Sequence, residues 1–200
     1  MREHSLRKDG PSWPSFLRGE HATHIADRLV EGDPLRVRER SARRLREVWF
    51  LLEPDRLFLR AIAVCAEGAM VEDPPKDMEA WVLAKIDLAI EQLVRRDRTA
   101  EEAHPELLED EEKVFPLLTH SFLLEPDTVR RVTVGFNRLD PLPRRAFYEL
   151  IIEAREVPSV IESGPWNEDG LYDAIQTALT PLGLDMASGE TKGKNRRKKK

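Results

Sequence analysis

The sequence predicts an all-α protein made of two small helical modules joined by an acidic linker. Apolar residues recur at helical spacing in several segments, and no alternation of apolar and polar residues lasts long enough to indicate a sheet. The chain has 200 residues, enough for two small domains, and 34% of them are charged. We divide it into a flexible N-terminal segment (1–33), a first module (34–98), a linker (99–125), a second module (126–184) and a basic disordered tail (185–200). Within the N-terminal segment, Ile25, Leu29 and Val30 fit one loose helix.

The first module is predicted to contain three helices. They cover residues 36–52, 56–70 and 78–97. The apolar stripe of the third follows spacings of four, three and four: Val82, Ile86, Ala89 and Leu93. Such a stripe is typical of a helix that packs in a bundle. Asp77 stands where an N-cap is needed, so we expect this helix to begin directly after it.

The second module is predicted to have a helix-turn-helix-like succession. Phe147, Leu150, Ile151 and Ala154 share one helix face, a short helix surrounds residues 160–161, and a last helix starts at Asn167 or Asp169. This order of helix, short helix, turn and helix is that of a helix-turn-helix unit. Residues 129–136 fit a short strand or a helix, and we favour the helix.

Charge is distributed unevenly along the chain. Residues 99–113 contain seven acidic side chains and one lysine, which indicates a solvated linker. The last nine residues, KGKNRRKKK, carry seven positive charges. Because the whole chain has a net charge of −5, residues 1–191 carry −12. The tail should therefore attract nucleic acid, while the rest of the chain should repel it at long range.

Several functional classes find no support in the sequence. No run of eighteen apolar residues could span a membrane, the first ten residues lack the apolar core of a secretory signal, and Cys65 has no disulfide partner. These features predict a cytoplasmic protein without a membrane partner. No glycine-rich phosphate loop, nucleophile and base pair or metal-ligand pattern is recognisable, and His21 and His24 alone make a poor metal site. We therefore expect no enzyme activity, cofactor or metal.

Two segments carry a resemblance to a known family. Residues 75–98 combine an Ala-Trp pair, an Ile-Ala-Leu pattern and a closing arginine cluster: Ala80, Trp81, Ile86, Ala89, Leu93, Arg95, Arg96 and Arg98. Residues 137–182 combine a Leu-Pro pair, an arginine, an aromatic helix and an apolar last helix: Leu142, Pro143, Arg145, Phe147, Leu171, Ile175, Ala178 and Leu179. The first resembles region 2, and the second resembles region 4, of small extracytoplasmic-function factors in the sigma-70 family of bacterial transcription initiation factors.

The resemblance implies two partners, core RNA polymerase and promoter DNA. The residues then expected to contact nucleic acid are Arg95, Arg96, Arg98, Gln176 on the last helix, and Lys198, Lys199 and Lys200 in the tail. Arg43 and Arg44, on the arginine-rich first helix, are the residues then expected to contact the polymerase. If promoter reading is lost, we expect the last helix to contact another protein through Trp166, Leu171 and Tyr172. A regulatory protein partner is also left open.

Two departures from the family keep a second hypothesis open. Residues 157–191 contain no lysine or arginine, although cations supply most of the affinity of proteins for DNA. The Asp and Gln-Glu contact that the family places before the Ala-Trp pair is also missing, with only Glu67, Glu72 and Asp73 nearby. The alternative is a protein-interaction adaptor that keeps a sigma-like fold without promoter recognition.

Overall fold

The structure, a computed structural model, describes residues 12–103 and 126–183, and these are helical without a strand. Eight α-helices follow one another in these ranges: α1 (Ala22–Gly32), α2 (Val37–Val48), α3 (Pro54–Val71), α4 (Met78–Ala103), α5 (Pro126–Asn137), α6 (Pro141–Phe147), α7 (Val157–Ser163) and α8 (Glu168–Leu179). Short 3-10 turns occupy Ser15–Leu17 and Thr180–Leu182, and a π-helical turn, Tyr148–Ile152, extends α6. The all-α prediction is confirmed, whereas the tail and most of the predicted linker lie outside the described residues.

The chain divides into two compact units between Arg130 and Arg131. In the first unit, α3 packs against α4, and both α1 and α2 pack against α3. In the second unit, α6 packs against α8. Residues 129–136 lie within α5, so the helix that we favoured for them is the observed structure.

The core of the first unit is centred on the pairing of α3 with α4. Leu57, Ile62 and Cys65 of α3 are fully buried or nearly so, as are Val82 and Ile86 of α4. Burial raises the pKa of the Cys65 thiol to about 12, because the thiolate would lose its hydration. Cys65 is therefore a structural core residue with the properties of a small apolar side chain.

The N-terminal segment departs from the prediction. Residues 12–33 were expected to be mostly flexible, but Leu17, Ile25 and Leu29 are buried in the core of the first unit. An isolated helix as short as α1 is marginal in water, so its own sequence gives only a weak signal. Its stability comes from packing on α3, which sequence periodicity within residues 1–33 cannot reveal.

Local capping explains where several helices begin. The Asp77 carboxylate accepts a hydrogen bond of 3.0 Å from the Ala80 amide, so the predicted cap of α4 is confirmed. Glu53 caps α3, whose first residue is Pro54. Asp33 accepts hydrogen bonds from the first amides of α2. These side chains satisfy donors that a helix start would otherwise leave without a partner.

The end of α3 and the start of α4 are joined by a polar cluster around Glu72. The indole nitrogen of Trp81 donates a 2.7 Å hydrogen bond to the Glu72 carboxylate, and Lys85 forms an ion pair with it. The ring of Trp13 meets the ring of Trp81 edge-on, with 5.1 Å between their centroids. Trp81 is thus a packed residue held in place at its polar edge, as expected for a tryptophan largely withdrawn from water.

Replacing Glu72 with glutamine is expected to lower the stability of the first unit at neutral pH but not in acid. The hydrogen bond from Lys85, followed by that from Trp81, lowers the pKa of Glu72. Its stabilising effect is therefore complete above the unfolded pKa of about 4.3 and is lost as the pH falls through the lower folded value. Because Glu72 is partly exposed, we expect a loss of at most about 1 kcal/mol at pH 7.

Urea unfolding of Glu72→Gln and the unmodified protein, at pH 7 and at about pH 3, would measure this difference. Glutamine can still accept the hydrogen bond from Trp81, so the variant isolates the charge of Glu72. A difference in unfolding free energy that stays constant between the two pH values would contradict the assignment.

The second unit has a small core with a buried ionic network beside it. Val160, Trp166 and Leu171 pack together, and the rings of Phe136 and Phe147 meet edge-on at 5.0 Å. The network joins the buried Glu149 carboxylate to two arginines, with 2.6 Å to Nε of Arg145 and 2.7 Å to a terminal nitrogen of Arg155. It ties α6 and its π-helical extension to the segment that enters α7, because Arg155 also donates to Ser159 and Ser163.

Candidate functional site

A surface groove of about 490 Å³ runs between α2 and the second half of α4, and we call it the α2–α4 groove. Its floor is apolar, formed by Val48, Phe50, Ile90 and Val94. Its rim is charged, formed by Arg44, Asp87, Glu91, Arg95 and Arg98. The groove therefore brings together Arg44, predicted to contact a protein, and Arg95 and Arg98, predicted to contact nucleic acid.

The floor of the groove arises where α2 ends. Trp49 adopts the left-handed conformation, with φ of 57°, and its amide bonds to the Leu45 carbonyl. A bulky residue rarely adopts this conformation, and here it terminates the helix and redirects the chain. Phe50 then lines the groove together with Ile90 and Val94 of α4.

One wall of the groove is fixed by an ion pair between helices. Arg44 on α2 reaches Asp87 on α4 through two hydrogen bonds, 2.6 Å from Nε and 3.0 Å from a terminal nitrogen. A third bond, of 2.8 Å, joins Arg44 to Glu47. The hydrogen bond to Asp87, and then that to Glu47, raises the pKa of Arg44 above its ordinary value. Arg44 therefore holds α2 against α4 before any partner arrives.

The arginines in the second half of α4 lie on different faces of the helix. Asp97 is buried and forms a bidentate ion pair with Arg56 of α3, so this side of α4 faces inward. Arg95 and Arg98 line the groove, while Arg96 is exposed and does not line it. Residues three apart share a helix face, which explains why Arg95 and Arg98 lie together and Arg96 does not.

The predicted interface on α8 is only partly exposed. Tyr172 is 48% exposed, and Gln176 is half-buried. Trp166, in contrast, is only 9% exposed and packs in the core of the second unit, with the Arg145 guanidinium 5.1 Å from its ring. Trp166 is therefore a core residue, packed with Ala146, Val160 and Leu171, and it offers little surface to the partner predicted for it. Asn167 caps α8 through the Gly170 amide.

The other predicted contact residues are more dispersed. Arg43 is exposed on α2, and one of its terminal nitrogens lies 3.7 Å from the Glu79 carboxylate. Lys198, Lys199 and Lys200 lie outside the described residues. The rings of His21 and His24 are 5.5 Å apart, but no group of three or more potential metal ligands occurs in residues 12–103 and 126–183. Over the same ranges, no helix has the length and apolarity needed to cross a bilayer.

Sequence reasoning missed the apolar floor. Val48 and Phe50 stand in a different segment from Val94, and only the fold brings the three side chains together. The available signal was the width of the α4 stripe, which exceeds what one neighbouring helix can cover. Comparisons of the chain with protein-family models, with curated proteins and with solved structures give no match.

Proposed function

We propose that this chain is a divergent sigma-like factor that binds core RNA polymerase through the α2–α4 groove and takes part in transcription initiation at specific promoters. The observation that carries the proposal is the groove itself, in which an apolar floor lies beside the exposed guanidinium groups of Arg95 and Arg98. The resemblance of residues 75–98 to sigma region 2 supplies the identity of the expected partner.

The composition of the groove favours a protein over a nucleic acid as its occupant. Glu91 lies on the rim and would repel the phosphates of DNA, while Asp87 and Arg44 neutralise each other. The apolar floor gains free energy when it is covered by apolar side chains, and the arginines can pair with carboxylates at the edge of the same contact. Among the arginines at the end of α4, Arg96 is thus the one left to meet a DNA backbone.

Promoter recognition would fall to the second unit and the tail. Gln176 on α8 is the side chain suited to a base contact, and Lys198, Lys199 and Lys200 would add contacts to phosphates. A second candidate function, an adaptor without promoter recognition, is favoured by the charge of α8. Its first turn carries Glu168 and Asp169, and residues 157–183 contain no cation.

Co-elution with purified bacterial core RNA polymerase on size exclusion tests the proposal. We expect the unmodified chain and a chain lacking residues 192–200 to co-elute with the polymerase. The double variant Arg95→Glu/Arg98→Glu should lose at least about tenfold in affinity, since each reversed charge removes a charge-assisted contact. Arg96→Glu is the matched control, because it makes the same change on the same helix outside the groove.

Each outcome has a defined meaning. Equal losses for Arg96→Glu and the double variant would indicate general charge attraction and contradict a role for the groove. Absence of co-elution in every form would exclude the polymerase as partner and leave the adaptor function. If the chain does bind the polymerase, a gel shift with promoter DNA separates the two candidates, since only the sigma-like factor forms a specific promoter complex.

A further inference from the structure

A second pocket, of about 320 Å³, lies on the first unit at the start of α2 and α4. Its walls are largely apolar, formed by Phe16, Leu35, Met78 and Val82. Arg36, Arg40 and Glu79 form its polar end. The volume lies at the lower limit of the roughly 300–1,000 Å³ typical of small-molecule sites, and an apolar body with one polar end is their usual composition.

The polar end contains a donor that the protein leaves unsatisfied. One terminal nitrogen of Arg40 is buried and makes no hydrogen bond. The Glu79 carboxylate lies 3.2 Å from this nitrogen but outside hydrogen-bonding geometry, and Glu79 is 59% exposed. The charge of Arg40 is paired with Glu79 at this distance, so a ligand with a well-placed acceptor would add the missing hydrogen bond.

The net charge at this polar end matches a ligand that carries one negative charge. Glu79 is shared between Arg40 and Arg43, and Arg36 forms an ion pair with Glu39. The charged residues that line the pocket, Arg36, Arg40 and Glu79, carry a net charge of +1. A monoanion would neutralise this site, whereas a dianionic phosphate would meet both an excess of negative charge and the Glu79 side chain.

The pocket is bordered by the turn that leads into α2. Asp33 and Arg36 adopt the left-handed conformation with φ of 39° and 52°, although neither is glycine. The Asp33 carboxylate holds this turn by accepting hydrogen bonds from the amides of Val37, at 2.6 Å, and Arg38, at 3.0 Å. The first amides of α2 are thereby already used, so the binding capacity of the pocket resides in its side chains.

We infer that this pocket binds a small amphiphilic monocarboxylate, with its apolar body against Phe16, Leu35, Met78 and Val82 and its carboxylate on Arg40. In the bound state the ligand's carboxylate takes the hydrogen bonds of the Arg40 guanidinium, and the exposed Glu79 side chain turns to Arg43. The site is distinct from the α2–α4 groove, so its ligand binding does not depend on whether the chain binds RNA polymerase.

Octanoate serves as the probe and octanamide as its uncharged match, both titrated into the full chain and followed by isothermal calorimetry. We expect saturable binding of one octanoate per chain and binding of octanamide at least about tenfold weaker, because the amide lacks the charge that pairs with Arg40. Arg40→Met should weaken octanoate binding by a similar factor. Arg46→Met is the matched control on α2, since Arg46 is exposed and does not line the pocket, and it should bind octanoate normally.

Methionine methyl groups provide a second measurement that needs no variant. With carbon-13 in the methionine methyls, octanoate should shift the signal of Met78, which lines the pocket, and leave that of Met70, an exposed residue of α3, in place. Equal binding of octanoate and octanamide, or octanoate binding unaffected by Arg40→Met, would overturn the role of Arg40. An unmoved Met78 signal at millimolar octanoate would overturn the site.

Discussion

Replacing Ile86 with aspartate is expected to lower the free energy of unfolding of the first unit by roughly 3–5 kcal/mol, enough to unfold a marginally stable domain. Ile86 is 0% exposed and lies in the core where α3 packs against α4. The substitution removes buried apolar surface, and it also places a carboxylate where no cation or water is available to compensate it. Both effects have the same sign, which is why the expected loss is large.

Leu88→Asp is the matched control, because Leu88 lies on the same helix and is 39% exposed. Its aspartate can remain hydrated, so we expect a loss well below that of Ile86→Asp. Urea unfolding followed by tryptophan fluorescence suits the comparison, since Trp13, Trp49 and Trp81 all belong to the first unit. Similar unfolding free energies for the two variants would show that the buried face of α4 had been assigned wrongly.

The face of α4 could be predicted because its signals are local. The stripe through Val82, Ile86 and Ala89 and the cap at Asp77 are both contained within a few turns of one helix. The same holds for α8, where Asn167 caps a helix whose apolar residues repeat at helical spacing. Periodicity and capping describe a helix relative to its own axis, and they therefore identify helices reliably without specifying their neighbours.

The features that the sequence did not predict all depend on distant residues. α1 is short, and its Ile25 and Leu29 become core residues only because α3 lies against them. The α2–α4 groove likewise requires Arg44 to meet Asp87, 43 positions away along the chain. No property of either segment alone indicates that they will be neighbours, so neither the groove nor its floor could be derived from local pattern.

The arginines also show that local sequence does not specify which side chains will meet. Arg44, Arg56, Arg145 and Arg155 each pair with a carboxylate of the protein itself and thereby hold its fold. Arg95, Arg96 and Arg98 are exposed in the second half of α4, ahead of its last turn, which contains no basic residue. The two groups cannot be told apart by residue type or spacing, because what distinguishes them is a partner supplied by another part of the fold. The exposed group is therefore the better target for binding experiments.

Replacing Glu149 with alanine is expected to destabilise the second unit by about 2–4 kcal/mol. Glu149 is 6% exposed and is shared by Arg145 and Arg155, so its removal leaves two guanidinium groups without their common carboxylate. Breaking a fully buried ion pair costs roughly 3–5 kcal/mol, and the partial exposure of both arginines lowers the figure here. Glu149→Gln should lose less, because an amide oxygen can still accept one hydrogen bond.

Native-state hydrogen exchange in the full chain can measure this loss within the second unit alone. Amides of α6 and α8 should exchange faster in Glu149→Ala, while those of α3 and α4 keep their rates. Glu153→Ala is the control, since Glu153 is exposed near the end of the same helical segment. The amides of α6 and α8 could also exchange at the same rates in Glu149→Ala and in the control. In that case, hydration of the Arg145 and Arg155 guanidinium groups offsets the loss of their ion pairs with Glu149. The network would then contribute specificity of packing and little stability.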